Sequence, residues 1–103
     1  MDIVNERTSS YISMAFFDNT GAPAIPASVT YSTKCRSTGI AIKTNVSVAP
    51  SANIVITLDA LDNAIQTPAN PTEIKALTIK ASYGINDECN AEYVWQVQNL
   101  TGF

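Results

Sequence analysis

Between Glu73 and Asn99 two alternating segments flank one short polar break, and no other feature constrains the fold as tightly. Leu77, Ile79, Ala81 and Tyr83 fall on one parity, with Thr78, Lys80 and Ser82 on the other. After Gly84-Ile85-Asn86-Asp87, Tyr93, Trp95 and Val97 alternate with Val94, Gln96 and Gln98. A period of two makes a strand with one buried and one wet face. The same pattern recurs back to the N-terminus, which predicts an all-β sandwich.

Tyr11 to Phe17 is apolar on both parities: Ile12, Met14 and Phe16 against Tyr11, Ala15 and Phe17. Strands buried on both faces and strands at a subunit contact both look like this. Asp18-Asn19-Thr20-Gly21 is a turn cluster. Pro23 and Pro26 exclude a central strand after it. Ala27 to Arg36 reads as the next strand, with Val29, Tyr31 and Cys35 inward. Ser37-Thr38-Gly39 turns into Ile40 to Val48, with Ile40 and Ile42 inward. A break at Pro50-Ser51-Ala52 leads to Asn53 to Leu58, with Ile54, Ile56 and Leu58 inward.

Asp59 to Ile65 is the single helical candidate. Asp59 caps one turn, and Leu61 and Ile65 at i and i+4 plug an end of the sandwich. Gln66 to Thr72, with Pro68 and Pro71, is a loop. The expectation is six strands, with a short seventh near Ile3 to Arg7. Residues 1–103 form one domain, and 1–9 serve as an N-terminal arm or an edge strand.

Composition narrows the function classes. Charged residues make up 15% of the chain, against roughly a quarter in ordinary domains. That suits neutral outer faces, and equally a surface that packs against neighbours, because a buried charge is costly unless paired. Net charge is −3, and the basic residues Arg7, Lys34, Arg36, Lys43, Lys75 and Lys80 are scattered. Without a basic stripe to neutralise phosphates, nucleic acid is excluded as a partner. The N-terminal residues have neither a basic n-region nor an apolar h-region, and no run approaches membrane-spanning length. The expectation is synthesis in the cytoplasm and no membrane partner.

Candidate chemistry is sparse. The chain has no histidine, which removes the commonest general base and metal ligand. Asp59 with Asp62, and Asp87 with Glu88, are the carboxylate pairs. Neither has calcium-loop spacing, and turn and capping chemistry accounts for all four. The glycines are isolated and form no phosphate cradle. The tripeptides Asn45-Val46-Ser47 and Asn99-Leu100-Thr101 match the glycosylation acceptor pattern, which is idle without secretion. Cys35 and Cys89 are too far apart for a CxxC site. Both fall on inward parities, so either a disulfide between the sheets or a pair of reduced thiols fits. Tyr93 and Trp95 read as core, with Tyr83 as a cross-strand partner for Trp95. The chain is expected to be no enzyme and to take no cofactor, metal or small-molecule substrate.

Ile3 to Thr8, then Tyr11 through Phe17-Asp18-Asn19-Thr20-Gly21, then Pro23 to Tyr31 and Cys35, form one suggestive series. Ile54 to Leu58, Asp62-Asn63-Ala64-Ile65 and Glu73 to Tyr83 continue it. Together they resemble the small immunoglobulin-like or fibronectin type III-like β-sandwich proteins encoded among the structural genes of tailed bacteriophages. Trp95 departs from antibody domains, lying on the last strand and not between the cysteine strands. The resemblance implies a sandwich of six to seven antiparallel strands. It also implies a non-enzymatic virion component: a head decoration or cement protein, a neck or connector protein, or a tail accessory. Its partners would be capsid, portal, neck or tail proteins and further copies of itself. Candidate contact residues are Ile3, Val4, Ile12, Met14, Phe16 and Phe103. The alternative is an adhesin-like module for carbohydrate or a cell-surface receptor, which calls for aromatics in loops.

Overall fold

Alternation resolves into seven strands in a computed structural model, which describes residues 1–100. They are β1 (Asp2–Asn5), β2 (Ser10–Ala15), β3 (Ser28–Cys35), β4 (Ala41–Val48), β5 (Asn53–Leu58), β6 (Thr72–Gly84) and β7 (Asp87–Gln98). One sheet has five strands in the order β1-β7-β6-β3-β4, and β2 and β5 form a second sheet of two. The 13 residues of β6 and 12 of β7 make the long hairpin that runs the length of the molecule.

The core lies between the sheets. β5 is the cleanest strand: Ile54, Ile56 and Leu58 are buried while Asn53, Val55 and Thr57 are exposed. Burying each of those three side chains contributes about 1.5–3 kcal/mol. They meet Val29, Tyr31, Leu77, Ile79, Ala81, Trp95 and Val97 from the large sheet. Phe16, just past β2, closes the cluster at 5% exposure.

Several expectations need correction. β1 pairs with β7 in parallel, with Asp2 opposite Trp95 and Val4 opposite Val97, so the sandwich is not wholly antiparallel. Ile40 precedes β4 and is 54% exposed. Within β4 a bulge resets the faces. Val46 pairs with Tyr31 but Lys43 with Thr33, so β4 spends one residue more than β3 over this stretch. Asn45 takes the left-handed φ of 49° that the bulge requires. Lys43, and not Ile42, therefore reaches the inner end beside Thr33.

Residues 59–65 form successive turns and no helix. Asp59 does cap them, its Oδ1 accepting from the Leu61 and Asp62 amides. Ile65 packs on the core as expected, but Leu61 is 63% exposed. Trp95 stacks on Tyr93, with ring centroids 5.7 Å apart, while Tyr83 lies near the far turn. Cys35 and Cys89 are both free and lie in the same sheet. Cys35 is level with Lys75 and Trp95, and Cys89 is opposite Ala81. The six residues from Cys89 to Trp95 span about 20 Å, far beyond disulfide reach.

Candidate functional site

The densest polar chemistry sits at the end of the sandwich where β6 begins. Glu73 and Lys75 occupy the inward parity that continues into Leu77, and both side chains are fully buried. One Glu73 carboxylate oxygen accepts from the Gln66 amide at 2.7 Å, the other from the Thr67 amide at 2.9 Å and the Asn70 side chain at 3.1 Å. The Lys75 ammonium donates to Glu73 at 3.1 Å and to the Ala64 carbonyl at 2.6 Å. Burial pushes the Glu73 carboxyl up, but the two backbone donors, with Asn70 and Lys75, overcome it and hold it at about 2. A carboxylate held that low and enclosed by donors is a poor proton acceptor at neutral pH. Its work is to tie residues 66–70 to β6.

A second knot lies beside it. Asp62, fully buried, accepts from the Thr33 hydroxyl at 2.8 Å and the Lys43 ammonium at 2.7 Å. Lys43 also reaches Asp59 at 3.1 Å. Desolvation lowers the Lys43 pKa, but the bonds to Asp62 and Asp59 outweigh it and the net shift is upward. Asn63 links both sheets, accepting from the Trp95 indole at 2.7 Å and donating to the Thr8 carbonyl at 2.6 Å and Ser10 at 3.1 Å. Among the described residues no buried side-chain polar atom lacks a partner, and no group of three potential metal ligands occurs. Asp59 and Asp62 thus stand together but are spent on Lys43, Thr33 and turn amides.

At the opposite end Phe17, Asp18, Asn19, Tyr83 and Asp87 line a cleft of about 300 Å³. Asp18 is occupied by the Thr20 amide and hydroxyl and the Ala22 amide, which lower its pKa. Glu88 lies outside this cleft on exposed β7.

The surfaces are the other candidates. The outward residues of the small sheet are Tyr11, Ser13 and Ala15 on β2 with Asn53, Val55 and Thr57 on β5. None is charged, and Tyr11 and Val55 are 68% and 63% exposed. Of the residues expected to make contacts, Ile3 is 64% exposed. Val4, Ile12 and Met14 are half-buried against the core. Phe16 belongs to the core itself, and Phe103 lies outside the described residues. Sequence reasoning missed Tyr11 and Val55 as an exposed pair. For Val55 the signal was present, because it alternates with Ile54 and Ile56, already read as inward; for Tyr11 it was absent, because its strand is apolar on both parities. Among the described residues no helix is long and apolar enough to cross a membrane. Compared with known proteins, the chain matches no family model, no curated protein and no solved structure.

Proposed function

We propose that this chain is a non-enzymatic structural subunit of a tailed-bacteriophage virion, made in the host cytoplasm and working by symmetric packing. Its place would be as a head decoration, a neck or connector protein, or a tail accessory. The observation that carries the reading is the outer face of the β2–β5 sheet: six outward side chains, none charged, with Tyr11 and Val55 well exposed. Such a face loses little on burial against a neighbour, because no ion must be stripped of water. Strand order adds support. β7-β6-β3-β4 facing β2-β5 corresponds to the G-F-C-C′ and B-E strands of an immunoglobulin variable-type sandwich. That favours the immunoglobulin-like form over other two-sheet folds.

Mass spectrometry of purified particles from the bacterium carrying the gene tests this directly. The protein should be present at a fixed copy number, and particles lacking it should change in composition or heat stability. Its absence from particles contradicts the proposal. The adhesin-like reading gains one observation, the cleft that sets Phe17 and Tyr83 beside Asp18 and Asp87. A glycan array is the test, with a saturable binder lost in Phe17→Ala supporting it.

A further inference from the structure

The sandwich is unequal, and the inequality leaves an unroofed strip. Along the inner face of the large sheet, Ile79 pairs with Ala91 and Ala81 with Cys89. Ile79 and Ala81 are 2% and 1% exposed. Ala91 and Cys89, one strand further out on the same face, are exposed, and Tyr93 is half-buried. The roof therefore ends above β6.

The roof's own margin on that side is β2. Asn63 joins its first residue, Ser10, to Trp95 of β7, whereas the end of β5 is joined to β4 through Asp59 and Lys43. Burial agrees with this placement. The inward side chains of β5 are fully buried, while Ile12 and Met14 of β2 are half-exposed. β2 pairs with β5 on one side only, so its other edge is an open ladder.

The edges also differ in protection. The free part of β7 carries Asp87, Glu88 and Glu92, and β4 is bulged and bears Lys43. β2 has no charge, no proline and no bulge over its 6 residues. Those are the devices that keep an edge from pairing; β2 lacks all of them, as does β5, but of the two only β2 borders the uncovered strip.

We propose that the β2 edge takes up an extended strand of a neighbouring subunit, which roofs Cys89, Ala91 and Tyr93 and completes the small sheet. The added segment pairs with residues 10–15 and is apolar at alternate positions, uncharged on the side that faces the β7 floor. A folded copy presenting its own sheet edge does not fit. At the level of Cys89 to Tyr93 the large sheet is four strands wide, because β1 pairs only with residues 95–98. With strands about 4.8 Å apart it outspans the two-stranded sheet by roughly 10 Å, shared between the two margins. That overhang blocks a domain and admits a single strand. The identity of the donor as a virion subunit rests on the function proposed above; the recess does not.

The probe is an acetylated peptide copying Asn53–Leu58, the strand β2 already pairs with, followed by two lysines for solubility. Alkylation of Cys89 by iodoacetamide is followed, with buried Cys35 as the internal control, alongside hydrogen exchange of the β2 amides not bonded to β5. The peptide at ten times its dissociation constant should slow Cys89 alkylation about tenfold and slow those amides. A version with Ile54→Pro and Ile56→Pro should do neither. Cys89→Arg, a change at an exposed position, should abolish the amide effect without unfolding the chain. Equal effects of both peptides, no effect of either, or Cys89 protection without slowed β2 amides would overturn the proposal. If the peptide adds along β2 but particles lack the protein, the recess stands and the virion assignment falls. If particles contain the protein with Cys89 and the β2 amides unprotected, the reverse holds.

Discussion

Glu73 is the side chain on which the closed end of the sandwich depends most. Its carboxyl is held at about 2, against an ordinary 4.5. A depressed pKa contributes stability that is fully present above the unfolded value and is lost as pH falls through the folded one. The stabilisation is therefore complete at neutral pH, on the order of 3 kcal/mol, and disappears between pH 4.5 and about 2. In Glu73→Gln that acid limb should flatten in urea titrations run across this range. The variant should also lose about 3–5 kcal/mol, because Lys75 is left buried without its counter-charge. Asn63→Ala removes the acceptor of the Trp95 indole and should cost about 1–3 kcal/mol, read by urea melts with tryptophan fluorescence. Tyr93 works in the opposite pH range. Burial, and then its hydroxyl bond to Asp2, push its pKa to about 12. A raised pKa contributes stability present below the unfolded value of 10 and lost on approach to about 12. Tyr93→Phe should remove that alkaline limb.

At the scale of elements, β1 is the weakest strand. It has 4 residues, Val4 alone packs on the core, and the hinge after it holds Arg7 at a left-handed φ of 58°. Its amides should exchange orders of magnitude faster than those of central β6 in native-state hydrogen exchange; equal protection would contradict this ranking. Element by element, legibility followed the regularity of alternation. β5 and the β6–β7 hairpin from Leu77 to Val97 were readable because each inward residue there is apolar and no bulge intervenes until Gly84. β4 was not, because a bulge swaps faces without marking the hydrophobic pattern. The partner of Trp95 was in principle within reach. The turn at Ile85-Asn86 places Lys75, and not Tyr83, opposite Trp95, a matter of counting back along the hairpin. Glu73 and Lys75 continued the inward parity of Leu77, but a charge at the mouth of a strand ordinarily marks exposure. Their burial depends on donors from residues 66–70 and on the Ala64 carbonyl that accepts from Lys75, which no local pattern announces. The parallel pairing of β1 depends on where the chain crosses between sheets, which periodicity does not encode.

For the whole molecule, the two ends and two faces divide the work. Ionic and amide bonds lock the end at residues 59–75, the five-stranded sheet supplies length, and the small uncharged sheet with its open β2 flank is left for contact. That division, in a chain with 15% charged residues, is what supports the proposed assembly role. Tyr11→Asp with Val55→Asp places two charges on the outer face without touching the core. Folding stability should change by less than about 0.5 kcal/mol, while association falls by an order of magnitude or more. The most direct single measurement is light scattering on the purified protein, alone and titrated into particles from its source. A discrete ring, or saturable binding at fixed stoichiometry, is expected. A monomer that stays indifferent to particles at every concentration would contradict the assembly role.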